Sequence, residues 1–134
     1  MKIGNKSFKG KRTVLYFYPK DDTPGCTTEA IEFTKLLPRF KARGVEVYGI
    51  SVDTPSSHEK FCKKYDLEVP LLTASLDEIK NLGILSDSAK SAKRTTYILN
   101  KEGSVEKIYE NVKAKDHARS VLAYFEKSHA RRTN

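Results

Sequence analysis

One cysteine in this sequence stands where a packed cysteine has little reason to be. Cys26 lies in the run YFYPKDDTPGCTTEA (16–30), directly after Thr-Pro-Gly and directly before a helical pattern. A buried structural cysteine belongs within an apolar stripe. At the first turn of a helix, unpaired backbone N–H groups and the helix dipole favour an anion. For cysteine that anion is the thiolate, the nucleophilic form. Pro24 and Gly25 fix the turn and let a ligand approach the backbone closely. Two readings stand at this point: a reactive thiol, or a cysteine packed under the loop.

Ionisation alone would make a poor catalyst. A thiol of pKa ~8.5 is about 3 % thiolate at pH 7, and lowering the pKa to ~6 gains roughly thirtyfold, or about 2 kcal/mol. Enzymes supply roughly 8 kcal/mol or more. A reactive Cys26 therefore needs partners that hold and polarise its substrate.

The elements that must place such partners are legible from periodicity. TVLYFY (13–18) is a continuous β-branched and aromatic run ending at Pro19, the pattern of a strand buried on both faces. After Cys26, the residues Ala30, Phe33, Leu37 and Phe40 recur at helical spacing and Gly44 closes the segment. Pro38 is expected to kink or shorten that helix. VEVYGIS (45–51) is a second buried strand. Asp53-Thr54-Pro55 then opens a helix whose stripe is His58, Phe61, Cys62 and Tyr65. A short extended VPLL (69–72) follows, then a short helix over 76–82 ending at Gly83. TTYILN (95–100) and SVEKIYE (104–110) flank Lys101-Glu102-Gly103, a hairpin signal. A last helix carries Ala118, Val121, Leu122 and Phe125. The order β-α-β-α-(β)-α-β-β-α predicts an α/β sandwich of thioredoxin-like fold, a mixed sheet with helices on both faces.

Composition narrows the function classes. With 134 residues the chain is read as one domain, 1–134, around one core. No apolar run approaches the roughly 20 residues needed to span a bilayer, so no membrane association is expected. The start, MKIGNKSFKGKR, has no apolar stretch of signal-peptide type, which discounts the sequon Asn5-Lys6-Ser7. Two cysteines are too few for a secreted disulfide scaffold and fit a reducing compartment. A cytoplasmic protein is expected, with nucleus or organelle left open. The net charge of +8 is scattered, dense only at Lys9/Lys11/Arg12 and Arg131/Arg132, and is read as a solvated surface rather than a nucleic-acid site. His58 and Cys62, four apart, could supply two metal ligands, but no second pair stands at ligand spacing. Neither a metal nor another cofactor is expected. His117 and His129 have no identifiable partners.

P-K-D-D-T-P-G-C (19–26) matches the Pro-x-x-x-Thr-x-x-Cys signature of the peroxiredoxins, and FYPKDDTPGCTTEA resembles their bacterioferritin-comigratory-protein, or peroxiredoxin Q, branch. GIS-D (49–53), S-HEKFCKKYDL-VPLL (57–72) and RTTYILNKEG (94–103) match in order, so the resemblance runs from about Phe8 to about Phe125. It implies a thiol peroxidase acting on hydrogen peroxide and organic hydroperoxides, recycled by thioredoxin or a similar dithiol, in antioxidant defence. Cys26 then matches the peroxidatic cysteine, whose thiolate attacks the peroxide and becomes sulfenic acid. Thr23 matches the hydroxyl bonded to a peroxide oxygen, and Pro19 the proline that shields the site from water. Arg94 matches the arginine beside the sulfur, and the Gly25 and Cys26 amides complete the cradle. Without the resemblance, Thr23 reads as a helix cap and Arg94 as a surface ion pair.

Many relatives carry a second cysteine five positions after the first, where this chain has Ile31. A second pattern in the branch places the resolving cysteine on the following helix, in the H-x-x-F-x-x-K-Y region, and Cys62 matches it, which implies an intramolecular Cys26–Cys62 disulfide. Cys62 also lies on an apolar stripe, where inert cysteines sit, and a disulfide needs Cα atoms within about 7 Å, so resolution would need local unwinding. The alternative is a one-cysteine enzyme using an external thiol. A thiol–disulfide oxidoreductase is disfavoured by the lack of any Cys-x-x-Cys, and a non-catalytic basic binding module or holdase is the remaining rival. Relatives usually begin with a longer segment containing an apolar strand pair; with seven residues before Phe8, the expectation is that the start is lost or that this cover is lacking, exposing apolar surface at one end of the sheet. A monomer is expected.

Overall fold

The computed structural model describes residues 1–133, with side chains through residue 127; His129 and the Arg131/Arg132 pair lie outside the described side chains. The elements run β1 (Lys2–Ile3), β2 (Lys6–Ser7), β3 (Arg12–Phe17), α1 (Pro24–Ala42), β4 (Val45–Ser51), α2 (Pro55–Tyr65), β5 (Leu71–Thr73), α3 (Leu76–Asn81), β6 (Thr95–Leu99), β7 (Val105–Tyr109) and α4 (His117–Thr133). Five strands form one sheet in the order β5-β4-β3-β6-β7. β4 is parallel to β3 and to β5, while β6 runs antiparallel to β3 and to β7. The expected mixed sheet of a thioredoxin-like α/β fold is thus present.

Two-residue alternation along β3 sorts its side chains between two cores. Val14, Tyr16 and Tyr18 join Phe33, Phe40, Phe61 and Phe125 beneath α1, α2 and α4. Leu15 and Phe17 face the other side, with Ile50, Ile79, Tyr97 and Leu99 under α3. Both faces of the central strand are buried, as a continuous apolar run predicts. No helix among the described residues is long and apolar enough to cross a membrane.

Three expectations are corrected. Pro38 neither ends nor shortens α1, which runs on to Ala42. Pro38 is exposed, so water can serve the carbonyl that its missing N–H leaves without a donor. The third sheet strand is Leu71–Thr73 rather than 69–72, because Val69 is buried in the approach and Pro70 cannot donate to the ladder. Residues 1–8 do form a strand pair, and Ile3 and Phe8, each 4 % exposed, cover the second core.

The tightest aromatic contact of the first core is the stack of Phe33 on Tyr16, with centroids 4.4 Å apart and planes at 15°. Phe33→Ala should lower stability by about 3–5 kcal/mol, read as a lower urea midpoint at unchanged slope.

Candidate active site

α1 begins at Pro24, so Cys26 is its third residue. The first intrahelical bond runs from Thr27 N–H to the Thr23 carbonyl at 2.8 Å. Pro24 has no N–H to give, which leaves the Gly25 and Cys26 amides without a helical acceptor at the positive end of the dipole. Cys26 is 1 % exposed. It is both packed and placed at the turn, so the two readings of the sequence are not exclusive.

Thr23 occupies the N-cap backbone position but makes no side-chain cap. Its hydroxyl donates to the Lys20 carbonyl at 2.9 Å, leaving the oxygen to accept. Pro19, half-buried, follows the end of β3. Arg94 immediately precedes β6 and turns inward, its side chain 18 % exposed. Nη1 donates to Glu29 Oε1 at 2.7 Å and Nη2 to Cys26 Sγ at 3.3 Å. A Cβ at position 25 would lie 3.1 Å from Nη2, so glycine there leaves the guanidinium its path to the sulfur. Arg94 is thus an inward ion pair, not a surface one.

Glu29 was not singled out from the sequence, although it stands on the buried stripe of α1 between Cys26 and Phe33. A carboxylate one turn after the cysteine, on the inner face, was the available signal. It is fully buried, and its Oε2 has no hydrogen-bond partner. Burial pushes its pKa up to about 7 despite the Arg94 guanidinium. Burial also works to lower the pKa of Arg94, but Glu29 and Cys26 more than offset it, and the net shift is upward.

His117 does have a partner, contrary to expectation: Nε2 lies 2.8 Å from Thr96 Oγ1. Burial, then the Arg94 charge, pushes its pKa down to about 4. His58 is engaged as well. Its Nδ1 lies 2.8 Å from Asp21 Oδ2, and Asp21 also accepts from Tyr18 and Ser57. Burial opposes ionisation of Asp21, but these bonds hold its carboxyl below the usual range. Among the described residues no group of three or more His, Cys, Asp or Glu is arranged to hold a metal.

The structure brings Cys26, Gly25 and Arg94 together, with Thr23 at the N-cap of the same helix and Pro19 just after the strand leading in. Cys62 stands apart on α2. Both cysteines are free thiols, Cys26 buried and Cys62 half-buried. Cys62 lines a groove of about 390 Å³ with His58, Leu71 and Leu72. Burial, then the Asp21 charge, pushes its pKa up.

The AhpC/TSA family matches residues 2–108. "Peroxiredoxin Bcp" of Xanthomonas campestris pv. campestris is 38 % identical over 133 residues, covering 94 % of this chain and 82 % of the relative. "Peroxiredoxin Q, chloroplastic" of Populus jackii is 48 % identical over 106 residues, 78 % of this chain, but the chain covers only 50 % of that protein. Among solved structures, Xylella fastidiosa PrxQ, as a cysteine-to-serine mutant, has a TM-score of 0.83 at 34 % identity, covering 91 % of this chain and 79 % of that one. The bacterioferritin comigratory protein of Xanthomonas campestris, described for its alkyl peroxide reduction activity, has a TM-score of 0.79 at 36 % identity, covering 89 % and 79 %.

Glu29 sets a testable pH dependence. Its folded-state pKa of about 7 lies above the ordinary 4.5. Its contribution to stability is therefore complete below about pH 4.5 and is lost as pH rises through about 7. The loss amounts to about 3 kcal/mol. Glu29→Gln keeps an acceptor for Arg94 and removes the titration. Denaturant unfolding at several pH values should show wild type losing stability relative to the variant across that window.

Proposed function

The chain belongs to the AhpC/TSA family, in its peroxiredoxin Q and Bcp branch of thiol peroxidases, and from that premise we propose how its own residues carry the reaction. Cys26 Sγ, as thiolate, attacks the terminal oxygen of a hydroperoxide. An S–O bond forms, the O–O bond breaks, and the leaving alkoxide or hydroxide takes up a proton to become alcohol or water. The sulfur is left as sulfenic acid.

The observation that carries this reading is the guanidinium of Arg94, with one nitrogen on Glu29 and the other on the sulfur. It favours negative charge on sulfur before attack and on the departing oxygen afterwards. The Gly25 and Cys26 amides face the same region, and the Thr23 oxygen accepts from the peroxide. Pro19 limits the access of water.

Cys62 is the resolving thiol in this proposal. The two positions at which cysteine-to-serine mutants of Xanthomonas campestris peroxiredoxin Q were solved lie thirty-six residues apart, the separation of Cys26 from Cys62 here. A protein dithiol of thioredoxin type then reduces the disulfide. We read the protein as a monomer acting in the cytoplasm, although the matched plant proteins are chloroplastic.

Cys26→Ser should abolish peroxide consumption, and Arg94→Ala should lower kcat/KM at least a hundredfold, in the range of about 10²–10³ for loss of a preorganised donor. Wild type treated with one equivalent of peroxide should lose two hydrogens by mass spectrometry, mapping to the peptides holding Cys26 and Cys62. A stable added oxygen on Cys26 instead would replace the disulfide cycle with a one-cysteine enzyme, and peroxide turnover by Cys26→Ser would refute the peroxidase assignment.

A further inference from the structure

Among the described residues, two buried side-chain oxygens lack a hydrogen-bond partner: Glu29 Oε2, at the site above, and the hydroxyl of Tyr16. Tyr16 is 0 % exposed. A buried donor without an acceptor costs about 1–3 kcal/mol. Phenylalanine would fill the same space at no such cost. The fold even makes room for the oxygen. Tyr16 pairs in register with Gly49 of β4, and a Cβ at position 49 would come within 2.6 Å of the hydroxyl.

That same point lies 2.8 Å from Leu71 Cδ2 on β5, and Leu71 lines the groove with Cys62. The phenol therefore reaches from β3 across β4 towards the α2 side of the sheet. Its ring is stacked on Phe33 and flanked by Tyr18, which holds that direction. Cys26 belongs to the same buried cluster, with Cys62 packed against it. We propose that the Tyr16 hydroxyl serves the second half of the cycle, donating a hydrogen bond to Cys62 Sγ as that sulfur attacks the oxidised Cys26.

The chemistry fits the placement. This inference rests on Cys62 being the resolving thiol. In that step Cys62 Sγ bonds to Cys26 Sγ, the S–O bond of the sulfenic acid breaks, and the thiol proton leaves with the hydroxide as water. The sulfenic sulfur is reduced and Cys62 is oxidised. Cys62 becomes anionic where burial and Asp21 oppose its charge, so a donor is needed there. Burial, reinforced by Glu29, Cys26, Cys62 and Asp21, pushes the Tyr16 pKa well above its usual value, so the phenol remains an O–H donor throughout. The orphan hydroxyl is then a donor whose acceptor is formed during the cycle. Tyr16 is a positioning residue in this account, acting through the sulfur.

The test is single turnover with one equivalent of hydrogen peroxide, quenched by alkylation and read by mass spectrometry, on wild type, Tyr16→Phe and Cys62→Ser. Tyr16→Phe should slow disulfide formation about tenfold relative to Cys26 oxidation, the effect of one hydrogen bond to a charged group. It should also raise the pH at which the disulfide rate is half-maximal and, in excess peroxide, increase the sulfinic fraction of Cys26. Equal disulfide rates in Tyr16→Phe and wild type would overturn the proposal. So would a slower rate with an unmoved pH profile, since only packing would then have been lost. If wild type forms no Cys26–Cys62 disulfide and matches Cys62→Ser, the two-cysteine reading itself has failed, and that outcome is distinguishable from failure of the Tyr16 role.

Discussion

A single guanidinium has to serve two acidic groups, and the molecule is arranged so that it can. Arg94 holds Glu29 at 2.7 Å and Cys26 Sγ at 3.3 Å from different nitrogens. At such a distance and an effective dielectric near 20, a thiolate gains on the order of 5 kcal/mol of gross Coulomb attraction. A thirtyfold gain in thiolate would supply only ~2 of the roughly 8 kcal/mol or more that an enzyme provides, so the arginine's larger use is for the charge that moves in the reaction. Glu29 shares that guanidinium with the sulfur, and its burial pushes its pKa up to about 7 despite the ion pair.

This bridge explains why the sheet is mixed. Arg94 and Cys26 are 68 residues apart in sequence, and the site needs both at one end of β3. β3 ends at Phe17, just before the loop that leads to α1. In the antiparallel register Phe17 faces Thr95, so the residue preceding β6 falls beside the start of α1. A parallel β6 would have carried Arg94 to the opposite end of the sheet. The direction of one strand is thus a condition of the chemistry. The apolar alternation that buries β3 on both faces makes this frame rigid.

Much of this was legible in the residues. Strand and helix patterns placed Cys26 at a helix start, the motif around it pointed to Thr23 and Pro19, and the separate RTTYILNKEG match pointed to Arg94. What was missed lay inside the helical and strand stripes, where pattern reading treats each position as core. Glu29 sits among Cys26, Ala30 and Phe33, and Tyr16 among Val14 and Tyr18, so each was absorbed into an apolar face. A polar atom in such a stripe is informative only once its partners, or their absence, are known. His117 and His58 gained partners from other elements, Thr96 and Asp21, which no local spacing announces. Pro38 does not shorten α1, because the cost of a helical proline depends on exposure, which a motif does not specify.

The proposed two-cysteine cycle would make opposite demands on this architecture in its two halves, on either side of the loop before Cys26. Attack on peroxide needs α1 wound, with the amides and Arg94 in place. A disulfide needs the cysteine Cα atoms within about 7 Å, so something must unwind. Asp21 binds Ser57 and His58 near the start of α2, while Asp22 binds Lys64 and Tyr65 near its end. Thr54 caps α2 with its side chain, accepting from Ser57 N–H. The first turn of α1 lacks that cap, since Thr23 makes no side-chain bond to it, while neither helix has an acidic residue in its first turn. An absent cap is worth about 1 kcal/mol. The turn carrying Cys26 is therefore less supported than the start of α2, the difference that the proposed two-cysteine cycle would use. In that proposal, the missing cap that leaves two amides free for the peroxide would also let the sulfur move towards Cys62 afterwards.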